Sequence, residues 1–199
     1  MDGHAVVAAG KIYLLLNKPR GVVTTASDEK GRTTVYQFLD TALLGEALPW
    51  VAPVGRLDKA SEGLLLLTND SEWSARVLGP ETHLDKVYQV HIGKLADEEL
   101  LASMIEGIKT DDDDLLRVKS ARIVRRGQRN SWLEVVLDEG RNRHIRRLLD
   151  KLNVDVLRLV RVAIGPLVLG ELGKGAVRKL TLAEKELLDR AMPESPVRS

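Results

Sequence analysis

The chain has 199 residues, 44% of them hydrophobic and 30% charged, the proportions of an ordinary globular protein long enough to bury a sizeable core in one domain or one bilobed domain. It has no cysteine, which excludes disulfides, thiolate metal sites and cysteine nucleophiles and fits a reducing cytoplasm. Its net charge is only +1, no apolar run could span a bilayer, no signal-peptide pattern opens it, and its four histidines share no ligand spacing, so neither a membrane nor a metal is expected.

Residues 1–10 read as a leader or a remnant linker. Residues 11–16 read as a strand that runs into the turn Asn17-Lys18-Pro19-Arg20-Gly21. Residues 22–25 read as a resumed strand, 27–32 as a loop and 34–39 as a short helix. Two apolar runs, 51–58 and 63–68, then read as buried strands punctuated by Pro53, Gly55 and Gly63. The segment between them carries four charges, Arg56, Asp58, Lys59 and Glu62, where a plain connector needs only turn residues. An isolated Asp in such a loop is ordinarily a turn or cap residue. Burying it ionised beside these strands is costly unless a cation or hydrogen-bond donors compensate, so the significance of Asp58 depends on a partner elsewhere.

Residues 69–78 read as a helix, with Asn69 and Glu72 as a capping-box-like start and Gly79-Pro80 as its stop. A strand over 86–93 carries Tyr88, whose default role is core packing. With 4% aromatic residues the chain offers no broad stacking platform for single strands, although one Tyr can stack on one base. An acidic helix is expected over 97–106. The run Asp111–Asp114 lacks the alternating ligands and Gly of a calcium loop and reads as a solvated hairpin tip. Residues 117–125 and 132–138 read as an antiparallel pair with Gly127 and Asn130 near the turn. A helix over 142–152 presents Ile145, Leu148, Leu149 and Leu152 as its core stripe, with Asn153 just past its end. A strand over 156–164 follows, then a final helix opened by the capping box Thr181–Glu184, and a frayed tail. Strands in irregular alternation with few, short helices indicate an α+β fold with a mixed, mostly antiparallel sheet.

Charge is unevenly spread. From Asp97 to Asp114 there are eight acidic residues against one Lys, and from Arg117 to Arg147 ten basic residues against three acidic ones. The basic block is either a solvated face or the footprint of a polyanion binder. Within it, Arg141, Arg143, His144, Arg146 and Arg147 crowd the start of a helix, where the dipole favours anions, at a cost of a few tenths to about 1 kcal/mol each. Such a cluster is tolerable if it faces phosphates or a buried carboxylate. Arg143, Arg146, Arg147 and Asp150 share one helical face, so one of these guanidiniums is a natural mate for Asp58. At about 4 Å and an effective dielectric near 20, such a pair attracts by roughly 4 kcal/mol before desolvation.

Four segments taken together resemble the RsuA/RluB/RluE family of bacterial ribosomal-RNA pseudouridine synthases: Asn17-Lys18-Pro19-Arg20-Gly21; Gly55-Arg56-Leu57-Asp58 with Ser61-Glu62-Gly63-Leu64-Leu65; Lys86-Val87-Tyr88; and Glu139-Gly140-Arg141-Asn142-Arg143-His144-Ile145-Arg146-Arg147. They stand in family order, and the likeness runs from about Lys11 to Leu180. The resemblance implies a catalytic domain over 11–190 with two subdomains flanking a central active-site cleft. Many members of that family carry an N-terminal S4-type RNA-binding domain, and residues 1–10 are too short for a complete one, while residues 191–199 read as a flexible tail. The resemblance implies a catalytic carboxylate at Asp58, an Arg56 that supports the flipped-out nucleotide, and a Tyr88 packed on the target uracil. It also implies that Arg146 pairs with Asp58, Arg143 being the second choice, and counts Lys86 among the substrate-binding residues. His144 stands where some relatives carry Gln. The implied partner is ribosomal RNA of either subunit, with no cofactor, in the cytoplasm, and as a monomer because no spare apolar helix is visible.

Pseudouridylation breaks the N-glycosidic bond, turns the base and joins its C5 to the ribose. It needs no redox change or external energy source, and one ionised carboxylate suffices as nucleophile or as stabiliser of a cationic sugar. RNA affinity is expected from the basic stretch 117–147 and from the strand bearing Arg158 and Arg161, with a steep salt dependence. Two competitors are a nucleosidase, which ordinarily needs two carboxylates and would recruit Glu62 as the second, and a non-catalytic RNA-binding module.

Overall fold

The structure is a computed structural model that describes residues 10–25, 30–39, 48–82, 84–110, 114–140 and 143–193. The expected leader (save Gly10), most of the Asp-rich hairpin tip, Arg141 and Asn142, and the tail from Glu194 lie outside the described residues.

Strand β1 (Tyr13–Lys18) lies antiparallel to β3 (Glu62–Thr68), and β2 (Ala52–Val54) pairs with the other end of β3. Helix α1 (Ser71–Leu78) follows, then β4 (Lys86–Ile92), α2 (Glu98–Glu106) and a small hairpin, β5 (Ile108–Lys109) with β6 (Leu115–Leu116). Strands β7 (Ser120–Arg126) and β8 (Ser131–Leu137) lead into α3 (His144–Lys151), β9 (Val156–Ile164), β10 (Leu167–Val168), β11 (Val177–Lys179) and α4 (Leu182–Ala191). The main sheet runs β11-β1-β3-β9-β4-β8-β7, with β2 and β10 as short additions. Among the described strands only β3 and β9 pair in parallel, so the sheet is mixed and mostly antiparallel, as the sequence indicates.

Three buried clusters divide this sheet into two lobes. In one lobe, Val90, Ile92, Leu133 and Val135 pack against Leu100 and Met104 of α2 and Ile145, Leu148 and Leu149 of α3. In the other, β1 and β3 are covered on both faces. Leu15, Leu64 and Leu66 meet Trp73 and Val77 of α1 and Leu188 of α4 on one side. Leu14, Leu16, Leu65 and Leu67 meet Val22, Val35, Val51 and Leu57 on the other. Two-sided burial explains why β3 reads as an unbroken apolar run instead of an alternating one. Each such Leu contributes about 2 kcal/mol of apolar transfer free energy.

Several local expectations need correction. Residues 22–25 form no strand: Val23 makes an isolated bridge to Thr34, and the Thr24 hydroxyl is committed to the backbone of Leu57. The short helix is a 3-10 turn over Val35–Phe38. Helix α1 is capped by Asp70, which accepts from the Trp73 amide, because the Asn69 side-chain oxygen already accepts from the Ile12 amide. Helix α3 starts at His144, preceded by Arg143 in the left-handed region at φ 50°. Asn153 closes it at φ 54°, and the Thr181–Glu184 capping box opens α4 as read.

Candidate active site

The loop between β2 and β3 is held from three directions. Thr24 donates its hydroxyl to the Leu57 carbonyl at 2.8 Å, the Gly21 amide donates to the Lys59 carbonyl at 2.7 Å, and the Ser61 amide closes a turn on the Asp58 carbonyl at 2.9 Å. Asp58 is therefore a half-buried carboxylate on a tied-down turn, which limits the side-chain ordering left to be done when a ligand arrives.

Asp58 opens into a cleft of about 960 Å³ between the two lobes. Arg56, Lys86, Tyr88, Arg143, His144 and Arg161 line the same cleft. Tyr88 is half-buried and packs against the clusters of both lobes, so its ring sits at their junction. Arg56 and Arg143 are exposed at the cleft wall, and the sequence therefore brings Asp58, Arg56, Tyr88, Lys86 and Arg143 together although they span much of the chain.

Arg146 reaches the same loop from α3. Its Nη2 donates to the Ala60 carbonyl at 2.9 Å, two residues beyond Asp58. Burial lowers its pKa first and the Arg143 charge lowers it further, while the Asp58 carboxylate opposes both. The guanidinium is thus coupled to Asp58 through its charge and to the Asp58 loop through a hydrogen bond.

Two cations that the local pattern placed elsewhere lie beneath. Lys18 is not a turn residue; it ends β1 fully buried, with Nζ donating to the carbonyls of Pro19 at 3.0 Å and Val22 at 2.8 Å. Burial pulls its pKa down to about 8, Asp58 and Glu62 raise it, and Arg161 adds to the lowering. Lys86 is lowered likewise, by burial first and then by Arg161, against Asp85 and Asp138. Arg161 itself is only 7% exposed, so it does not belong to a solvated basic face. Glu62 is not a loop residue: it is the first residue of β3, buried, and bound by Arg158 and by Lys174, the latter at 2.7 Å. Nothing in the sequence around Lys18 marks it as buried.

Among the described residues no group of three His, Asp or Glu side chains is placed to hold a metal ion, and no helix is long and apolar enough to cross a membrane. Arg56, Lys86, Arg143 and Arg161 make the cleft predominantly cationic, with Asp58 on the β2–β3 loop and Asp138 and Glu139 beyond β8 as the acidic residues of its lining. That arrangement suits an anionic polymer presenting a neutral reacting centre.

Residues 12–151 match the family described as RNA pseudouridylate synthase. An uncharacterized RNA pseudouridine synthase of Aquifex aeolicus is 37% identical over 193 residues, covering 96% of this chain and 75% of that protein. The ribosomal large subunit pseudouridine synthase B of Bacillus subtilis is 33% identical over 190 residues, covering 94% of this chain and 75% of its own. A crystal structure of a pseudouridylate synthase superposes with a TM-score of 0.76 at 33% identity, over 92% of this chain and 75% of that one. Fold, cleft and likeness together define an RNA-modifying isomerase. The chain belongs to the RNA pseudouridylate synthase family.

Proposed function

We propose that this chain converts a specific uridine of ribosomal RNA to pseudouridine, with Asp58 as its single catalytic carboxylate acting on a nucleotide turned out of its stack. The observation that carries the reading is the position of Asp58: on a pinned turn in the cleft, under the charges of Lys18 and Arg146, and sharing the cleft with Tyr88. The relatives from Bacillus subtilis and Pseudomonas aeruginosa are named for the large ribosomal subunit, which favours that subunit's RNA as substrate.

In this reading Tyr88 packs on the target uracil, and Arg56 at the exposed wall fills or supports the gap left in the stack. Extrusion costs a few kcal/mol, which stacking on Tyr88 and phosphate contacts to Arg143 and Lys86 offset. The carboxylate attacks or steadies the sugar as the glycosidic bond breaks, and Arg146 braces the loop that carries it through the Ala60 carbonyl. Glu62 does not serve as a second catalytic acid, because its carboxylate is bound by Arg158 and Lys174. That argues against the two-carboxylate nucleosidase reading.

Carbodiimide-adduct mapping of ribosomal RNA treated with the wild-type chain and with Asp58→Asn tests the proposal. A new adduct at one uridine with wild type, absent with the variant, is the expected result. The same adduct with both would remove Asp58 from the mechanism.

A further inference from the structure

We infer that Arg161 is a further substrate-binding residue, whose free Nη2 donates to a ring carbonyl oxygen of the target uracil and selects uracil over cytosine. The inference rests on the proposed function above and deepens it.

Three placements lead there. Arg161 lies opposite Gly63 on β3 and opposite Tyr88 on β4, so its side chain stands between the end of the Asp58 loop and the proposed stacking ring. Its guanidinium is fixed in place: Nε donates to the Leu64 carbonyl at 2.8 Å. Its Nη2, by contrast, is buried and has no hydrogen-bond partner, while the residue lines the cleft. A buried donor left unmatched is rare and costly, and a buried cation without a carboxylate is more so. Among the described residues Arg161 forms no ion pair, and its charge instead presses on Lys18 and Lys86. A donor buried in a residue of the cleft wall and unmatched by the protein is one that a ligand acceptor completes.

The chemistry of the reaction identifies that acceptor. When the C1′–N1 bond breaks, its electron pair leaves with the base, and the negative charge is shared among N1, O2 and O4. The ring must then turn so that C5 takes the place of N1. Half a revolution about the line through N3 and C6 makes that exchange, and it also interchanges O2 with O4. A guanidinium N–H beside one of these positions therefore meets a carbonyl oxygen before the turn and again after it. The new C5–C1′ bond forms, C5 loses its proton, N1 gains one, and no co-reactant is consumed. In cytosine one of the two positions is an amino group, itself a donor, so the same site would lose its hydrogen bond in one orientation.

The test uses full-length protein and large-subunit ribosomal RNA transcribed with 5-tritiated uridine, since replacing hydrogen at C5 releases tritium. Arg161→Met is expected to bind the transcript within about threefold of wild type, to keep its thermal midpoint, and to release tritium about 100-fold more slowly, with Arg161→Lys between. Mapping the wild-type product fixes the target, and a stem-loop built around it with uridine or 4-thiouridine supplies a second arm. Sulfur is the weaker acceptor, so wild type should slow by about tenfold on the thio substrate while Arg161→Met shows no added penalty. Unchanged turnover in Arg161→Met overturns the inference. If that variant does not fold, Arg161→Lys decides: a sulfur penalty equal to that of wild type overturns the inference, and a reduced one supports it. Wild type inactive on every ribosomal RNA would sink the proposed function and this inference together, whereas active wild type with an equally active Arg161→Met sinks the inference alone.

Discussion

Gly63 and the backbone of Arg161 approach so closely that a Cβ on Gly63 would lie 2.2 Å from the Arg161 carbonyl oxygen. Gly63 also has φ +104°, a region that other residues rarely adopt. The parallel β3–β9 junction, and with it the seating of the Asp58 loop beside Arg161, depends on that contact. Gly63→Ala is expected to destabilise the protein by about 3 kcal/mol or more, from clash and backbone strain together. Urea unfolding of the two proteins measures it; a loss below about 1 kcal/mol would mean that β3 and β9 separate without consequence.

Arg146 and Arg143 separate in a second prediction. Arg146 is fastened to the Asp58 loop and feels the Asp58 charge, whereas Arg143 is exposed at the cleft wall. Arg146→Ala should lower single-turnover rate by about 100-fold and cost about 2 kcal/mol of stability, because it leaves the Ala60 carbonyl without its donor and removes a positive charge from beside Asp58. Arg143→Ala should mainly weaken RNA binding and its salt dependence. Rates and affinities that moved in the opposite sense would reassign the pair.

Glu62 provides a third. Its carboxyl is buried while the two cations that bind it are exposed: burial raises its pKa, and the bonds from Arg158 and Lys174 more than reverse that to hold it below the usual range. A depressed folded pKa contributes stability that is present above the unfolded pKa and is lost as pH falls through the folded one. Glu62→Gln should therefore cost stability of about 2 kcal/mol at neutral pH and almost none in strong acid, while any residual product is still pseudouridine. Release of free uracil by wild type that ceases in Glu62→Gln would revive the two-carboxylate hydrolase.

Lys18 predicts a pH effect of the same sign, at alkaline pH. Its pKa falls from 10.5 to about 8 on folding, so between those values the unfolded chain binds more protons than the folded one. Stability should then rise with pH across that window, by no more than about 3 kcal/mol relative to Lys18→Met. Denaturation midpoints of both proteins from pH 7 to pH 10.5 measure it. Parallel curves would place the Lys18 amine in contact with solvent.

Much of this architecture could be read from sequence. The bounds of β9 are those of the apolar run, and the Thr181–Glu184 box and Asn153 mark their helix ends as read, because periodicity and caps are local signals. What was not legible is long-range. Asn69 and Asp70 are both competent caps, and only the distant Ile12 amide decides between them. Asp58 stands out for its setting, but the burial of Lys18 beneath it follows from packing that no neighbouring residue announces. Arg158 and Arg161 had a usable signal. Residues three apart on a strand point to opposite faces, so they could not line one surface, and the structure puts Arg158 with Glu62 and Arg161 in the cleft.

The central claim is that the Asp58 carboxylate carries the chemistry. Single-turnover tritium release from 5-tritiated ribosomal RNA, comparing wild type with Asp58→Asn at matched RNA occupancy, tests it most directly. The account predicts stoichiometric release by wild type and, with binding within about threefold, none above background from the amide variant. Release by Asp58→Asn at a rate near that of wild type would contradict it.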